Sequence, residues 1–235
     1  MRVRSACLTV VLLLAGSSAR AQAPASEEQI QARPGLFRAG TFYLTPYLQI
    51  GSLGVDTNVF YTPTDRQTDF TASGGPGLEI VRPFGRESRF RLDGGMDYLF
   101  FARTESQRSL NGYGTAQLDL VGVKTRLIVE ERYESSFSRP NFEVNERVQQ
   151  ETEGTRGFLR RNLGDRFALA LIGERERATT DSQDYLGTDL GETLTQDRYR
   201  AAGELRVALT VKTQLVSGAE QEWYRFPRAA ERDGD

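Results

Sequence analysis

From Thr41 onward this sequence alternates apolar and polar residues with a period of two, in one segment after another, while helical spacing is convincing nowhere. Successive strand residues point to opposite faces, so such alternation specifies a sheet with one apolar and one polar side. In residues 41–51, Phe42, Leu44, Pro46, Leu48 and Ile50 oppose Thr41, Tyr43, Thr45, Tyr47 and Gln49. In 89–103, Phe90, Leu92, Gly94, Met96, Tyr98, Phe100 and Ala102 oppose Arg89, Arg91, Asp93, Gly95, Asp97 and Arg103, and only Leu99 and Phe101 break the pattern. Segments 110–120 and 199–209 repeat the scheme. Segments 70–81 and 126–137 follow it with exceptions, Glu131 being the clearest. In 150–161 and 214–226 the alternation is weaker and the faces are not assignable. With the segment between 165 and 178, about nine strands are expected.

The connections between them alternate in length. Short ones fall at 83–87, 121–124, 162–165 and 210–212, and longer polar ones at about 56–69, 104–109, 138–149 and 178–195. A meander with short turns at one end and long loops at the other is the organisation of an outer-membrane barrel, with its turns on the periplasmic side. Tilted strands of about 9–11 residues cross a bilayer, and these segments reach that length. Hydrocarbon offers no hydrogen-bond partners, so the apolar face would meet lipid and the polar face would line the lumen. Phe42 and Phe90 near the short turns, and Phe60, Phe70, Phe100, Phe137 and Trp223 near the long loops, would form the two interfacial girdles. The rival reading is a soluble periplasmic β-sandwich, with the apolar faces of two sheets meeting each other. Loop alternation, strand length and the glycines Gly94, Gly112, Gly114 and Gly203 on the apolar face favour the barrel.

The N-terminus has the form of a secretory signal. Arg2 and Arg4 precede an apolar run over 6–16, and Ala19-Arg20-Ala21 supplies a small-x-small cleavage site, placing the cut after Ala21. The run is about half of the roughly 20 residues that a membrane-spanning helix needs. The only cysteine, Cys7, lies inside it, so the mature chain is cysteine-free. Residues 22–40, polar and containing Pro24, Pro34 and Gly35, read as a flexible periplasmic segment before the barrel strands of 41–226.

Three stretches carry a family resemblance: TPYLQIGSLGVDTNVFY at 45–61, GGPGLEIVRP at 74–83 and WYRFPRAAERDGD at 223–235. Through them the chain resembles the porin-like outer-membrane β-barrels associated with exopolysaccharide export regions. The resemblance implies a bacterial outer-membrane location, outer-membrane lipid as surroundings, and passage of a hydrophilic solute or a polysaccharide.

Strand parity adds an expectation. Nine strands starting in the periplasm end outside, whereas single-chain bacterial barrels usually have an even number. Residues 227–235 then read as the start of an extracellular loop, and the barrel as incomplete. The expected fold is therefore an all-β antiparallel meander, a transmembrane barrel lacking its closing strands.

Composition narrows the function. The chain has no histidine, and of its 30 basic residues only Lys124 and Lys212 are lysine. Ser-His and Cys-His nucleophiles, imidazole metal sites and Schiff-base chemistry are thereby removed. A net charge of −2 argues against a nucleic-acid partner. The candidate lumen-lining residues are Glu79, Arg89, Arg91, Asp93, Asp97, Arg103, Asp119, Arg126, Glu130, Arg132, Glu134, Arg198, Arg200, Glu204 and Arg206. Their mixed signs predict cross-strand arginine–carboxylate ladders, for which a planar guanidinium is better suited than an ammonium. Such ladders either select solutes, as charged rings do in pores, or hold the interior together by pairing with one another. The pairs Asp93/Asp97 and Glu130/Glu134 have the composition of a glycosidase dyad, but same-face spacing along a strand reads as lining. Asp181, Asp184, Asp189, Glu192 and Asp197 form an acidic loop without the spacing of a calcium loop. The expectation is thus a non-enzymatic barrel with no catalytic residue, cofactor or metal, compatible with oligomers. A structural or adhesive barrel, its lumen plugged by ion pairs, is the alternative from another functional class.

Overall fold

The computed structural model of the chain describes residues 35–228, apart from 63, 86, 141–143, 145–146 and 211–212. The segment expected to be a leader, 1–21, and residues 229–235 lie outside the described residues. Strands follow in the order β1 (Phe37–Ala39), β2 (Phe42–Asp56), β3 (Asp69–Phe84), β4 (Ser88–Phe101), β5 (Ser109–Val121), β6 (Thr125–Ser138), β7 (Val148–Asn162) and β8 (Phe167–Thr180). After these come the two-residue strands β9 (Asp184–Tyr185) and β10 (Thr188–Asp189), the one-turn helix α1 (Leu190–Leu194), β11 (Gln196–Ala208) and β12 (Gln214–Arg225).

All the long strands belong to one antiparallel sheet of 10 strands, ordered β1-β2-β3-β4-β5-β6-β7-β8-β11-β12. Each strand pairs with its neighbour in sequence, β8 meeting β11 across the separate β9–β10 hairpin. β1 and β12 form the two edges, and no ladder joins them among the described residues. The all-β meander expected from the alternation is what the chain forms, as an open sheet. Its strands of 12 to 16 residues, β1 aside, match or exceed the expected lengths.

Three local readings change. Phe37–Ala39, at the end of the segment read as flexible, pairs with Ala39↔Phe42 through Phe37↔Leu44 and begins the sheet; residues 22–34 lie outside the described residues. The loop expected over 178–195 contains the β9–β10 hairpin and α1, and Asp197 belongs to β11. Finally, β2 does not stop at Gly51. The register with β3 shifts between Ile50 and Ser52, leaving Gly51 as the extra residue of a bulge. A Cβ at Gly51 would stand 2.5 Å from Ser73 Oγ, so glycine suits the crowded point. The bulge returns Leu53 and Val55, opposite Ala72 and Phe70, to the face that carries Leu48 and Ile50.

The sheet has an unusual distribution of burial. Leu48, Ile50, Leu53, Met96 and Leu110 are between 54% and 77% exposed, although they are apolar. The buried apolar side chains among the described residues are Val59, Phe101, Val144, Val148 and Leu190, all at the long-loop end. Val144, Val148 and Leu190 pack together there with Tyr185 and Leu194. The core is therefore a cap of loops at one end, while the sheet's apolar face stands open.

Candidate functional site: the polar face of the sheet

On β2–β5 the polar face is organised by a row of four residues in register: Tyr47↔Gly77, Gly77↔Gly95 and Gly95↔Tyr113. The Tyr47 ring occupies the space that a Cβ on Gly77 would need, and a Cβ on Gly95 would lie 2.8 Å from the Tyr113 hydroxyl. Two glycines thus provide a flat floor on which two aromatic rings reach toward each other. Their hydroxyl oxygens are 2.6 Å apart. Tyr47 also donates to Asp93 Oδ1 at 2.7 Å, and Tyr113 donates to Gln49 Oε1 at 3.1 Å. Gln49 Nε2 in turn donates to the Met96 carbonyl at 3.2 Å, where the β3–β4 ladder is interrupted between Gly74 and Gly77. Pro76, inside that interruption, has no N–H to offer the ladder.

Ion pairs continue the network. Arg91 Nη2 donates to Asp93 Oδ2 at 3.1 Å, and its Nε lies 2.7 Å from Glu79 Oε1 as an ionic contact without an aligned hydrogen bond. Nearer the short turns, Asp119 is buried between two guanidinium groups. Arg126 grips it bidentately at 3.1 and 3.0 Å, and Arg89 approaches to 3.6 Å. Gln117 donates to Glu130 at 3.0 Å.

Across β6–β12 the carboxylates again sit between arginines. Glu176 accepts from Arg132 at 3.1 Å and from Arg198 at 3.2 Å, and Arg198 also lies 3.6 Å from Glu222. Glu174 accepts from Arg200 at 3.1 Å, with Arg156 at 3.7 Å. Arg200 extends to the edge strand through two 2.8 Å bonds to Glu220. Arg206 bonds Glu204. Apart from Arg206–Glu204, which lies within β11, these are cross-strand pairs of the kind that stabilise a sheet, repeated until they form a two-dimensional lattice.

Of the expected lining residues, Glu79, Arg89, Arg91, Asp93, Asp97, Asp119, Arg126, Glu130, Arg132, Glu134, Arg198, Arg200, Glu204 and Arg206 all belong to this face by register. Arg103 does not. β4 ends at Phe101, and Asp69 draws the chain away by accepting the backbone N–H groups of Arg103 and Thr104 at 3.0 and 2.7 Å. Arg103 is therefore an exposed loop residue.

Sequence reasoning missed Arg156, Glu174, Glu176, Glu220 and Glu222, because their strands carry charge on both faces or alternate weakly. Also unforeseen is an apolar rung on the polar face, where Ile128, Phe158, Ile172 and Ala202 lie in register across β6, β7, β8 and β11.

The opposite face has its own exception. Glu131↔Thr155 and Thr155↔Arg175 are in register, as are Tyr133↔Glu153 and Glu153↔Arg177. All six are exposed, and Tyr133 donates to Glu151 at 3.2 Å. On β2–β5 the same face is apolar from Leu44 to Val55, Phe70 to Ile80, Phe90 to Phe100 and Leu110 to Leu120.

At the long-loop end the cap is tied to the sheet by arginines. Arg139 donates to the Val59 carbonyl at 2.5 Å and stacks on the Tyr61 ring at 3.8 Å, and Arg147 lies 4.9 Å from the Phe101 ring centre. Burial, reinforced by the charge of Arg139, pushes the Arg147 guanidinium below its ordinary value. Asp189 caps α1, accepting from Glu192 N at 3.2 Å, and its carboxyl is held below the usual range, first by the Ser182 hydroxyl and then by backbone N–H groups and the charge of Arg228.

No family model matches this chain, and no curated protein or solved structure matches it either.

Proposed function

We propose that this chain is an outer-membrane β-barrel of the porin-like kind, whose polar face lines a passage for a hydrophilic solute, a polysaccharide among the candidates. One observation carries the reading: a single meander sheet exposes an apolar face across β2–β5 and gathers ion pairs from β3 to β12 on the other face. Apolar side chains left open in this number find their counterpart in hydrocarbon. A soluble sandwich would need a second large sheet against that face. The only other sheet among the described residues is the β9–β10 hairpin.

The lattice is built mainly of pairs, so the passage would be shaped by rigid, evenly charged walls and would favour hydration over one ionic sign. The structural-barrel alternative draws on the same lattice as a plug and on the loop cap as the working surface.

Conductance of the protein refolded into a planar bilayer tests the reading. Discrete current steps are expected. A protein that inserts and shows a heat-dependent gel shift but gives no steps would shift the reading to a structural or adhesive barrel. Recovery in the periplasmic soluble fraction without any gel shift would favour the sandwich.

A further inference from the structure

Resting on the barrel reading, the outward charges of β6–β8 define a further surface. We propose that the patch centred on Thr155, formed by Glu131, Tyr133, Glu153, Arg175 and Arg177, is a lateral interface that a second copy of this chain covers within the membrane.

Depth carries the first part of the argument. Glu131 lies six residues from Thr125, where β6 leaves its short turn, and Arg175 lies eight residues from Phe167 at the start of β8. With a rise of about 3.3 Å per residue and a tilt of about 40°, those positions fall roughly 15–20 Å from the short-turn end, well inside an apolar band about 25 Å tall. At the same count from their short-turn ends, strands β2–β4 of the same sheet present apolar or small residues: Leu48 and Ile50 on β2, Leu78 and Pro76 on β3, Gly94 and Met96 on β4. Glu131 and Arg175 therefore lie within the band, while Glu153 and Arg177 stand nearer its outer edge. Ionised groups at that depth, facing lipid, are strongly disfavoured. Within the chain Arg175 lies 3.8 Å from Asp197 and Tyr133 bonds Glu151, which leaves Glu131, Glu153 and Arg177 for a polar partner to cover.

The signs identify the occupant. Carboxylates stand on β6 and β7 and guanidinium groups on β8, with the small neutral Thr155 between Glu131 and Arg175 in one register row and Asp197 of β11 beyond, in register with Arg177. A two-fold axis along the membrane normal, passing near Thr155, sets β6 of one copy against β8 of the other. Glu131 of each copy then meets the Arg175 and Arg177 side of the other, while β7 faces its own equivalent across the axis, so the flanking strands of the patch are complementary, as an isologous interface requires. It also lies away from both open edges of the sheet, β1 and β12, so this contact is distinct from any pairing of strand edges.

Because the mature sequence holds no cysteine after a cut at Ala21, single cysteines report contacts cleanly. The full chain is expressed in a Gram-negative outer membrane as Thr155→Cys, as Met96→Cys on the apolar face of β4, and as Ser217→Cys on the edge strand, and each is oxidised. A covalent species at twice the chain mass from T155C, with little from M96C or S217C, is expected. Dimers from S217C but not T155C, or T155C adducts with a different protein, overturn the proposal. So does a monomer from all three variants with the chain in the membrane and heat-modifiable, which leaves the barrel reading standing. If M96C and T155C are both labelled by a membrane-impermeant maleimide in a soluble fraction, the barrel reading itself fails. The native mass of the unmodified protein in lipid nanodiscs provides a measurement independent of the variants: a dimer is expected, and a monomer overturns the interface.

Discussion

Tyr47 and Tyr113, 66 residues apart in sequence and on strands three places apart, bring their hydroxyls to 2.6 Å above Gly77 and Gly95. The contact ties β2 to β5 directly and so resists flattening of the sheet between them. Its floor is what makes it vulnerable. Gly77→Ala places a methyl where the Tyr47 ring lies, and the ring must leave its bond to Asp93 and its contact with the Tyr113 hydroxyl. A loss of about 1–3 kcal/mol is expected from such overpacking. Tyr113→Phe, which only removes the hydroxyl, is expected to cost about 1 kcal/mol per lost hydrogen bond. Urea titration of the protein folded into detergent or vesicles measures both.

Asp119 is 3% exposed and is the common carboxylate of Arg89 and Arg126. Asp119→Asn keeps the shape and leaves two guanidinium groups close together without their shared counter-charge. About 3 kcal/mol of destabilisation is expected, since breaking one partner of a buried pair leaves charge uncompensated. The comparison is Glu220→Gln, whose side chain is 50% exposed beside Arg200 and whose removal should cost below about 1 kcal/mol. Equal effects in the two variants would contradict the burial that distinguishes them.

Met96 is 54% exposed on the apolar face, while Thr115 points from β5 to the polar one. If the apolar face meets hydrocarbon, Met96→Arg destabilises the folded protein in vesicles by about 2–4 kcal/mol and Thr115→Arg does so far less. A soluble protein with Met96 in water would tolerate the change. Equilibrium folding of the two variants into lipid decides the matter.

The cap of α1 gives a pH dependence of definite sign. Because the folded Asp189 carboxyl titrates below its usual range, its contribution is complete above the unfolded value, about 3.9, and fades as pH falls through the lower folded value. Protection of residues 181–195 against amide exchange, corrected for intrinsic rates, should therefore persist at pH 5 and decline below about pH 4. Asp189→Asn should remove most of that acid-dependent decline. An unchanged profile in the variant would assign the transition to another group.

The alternation in the sequence reveals the strands because a period of two is a property of each segment alone, and 89–101 and 110–120 read correctly for that reason. Where a feature depends on two segments at once, it is illegible. The Tyr47–Gly77–Gly95–Tyr113 row exists only after three registers are set. β2 is read short because the parity of its apolar residues changes at Gly51, and a bulge looks like an ending until the partner strand is seen to continue. On β8, Glu174, Arg175, Glu176 and Arg177 are all charged, so alternation vanishes although the faces differ: the glutamates join the ion-pair lattice and the arginines point outward. Arg103 joins the polar series only when the period is extended beyond the point where Asp69 ends the strand.

The meander order has a consequence for how such a molecule is assembled and varied. Every ladder of the large sheet closes a short excursion of the chain, the longest bridging only the β9–β10 hairpin and α1, so no strand must await a distant segment before it can pair. Zipping can proceed hairpin by hairpin, each new one templated on the edge its predecessor leaves. The same independence makes circumference an adjustable quantity: a β7–β8 type of hairpin could be duplicated or removed in the course of evolution without changing any pairing elsewhere in the sheet.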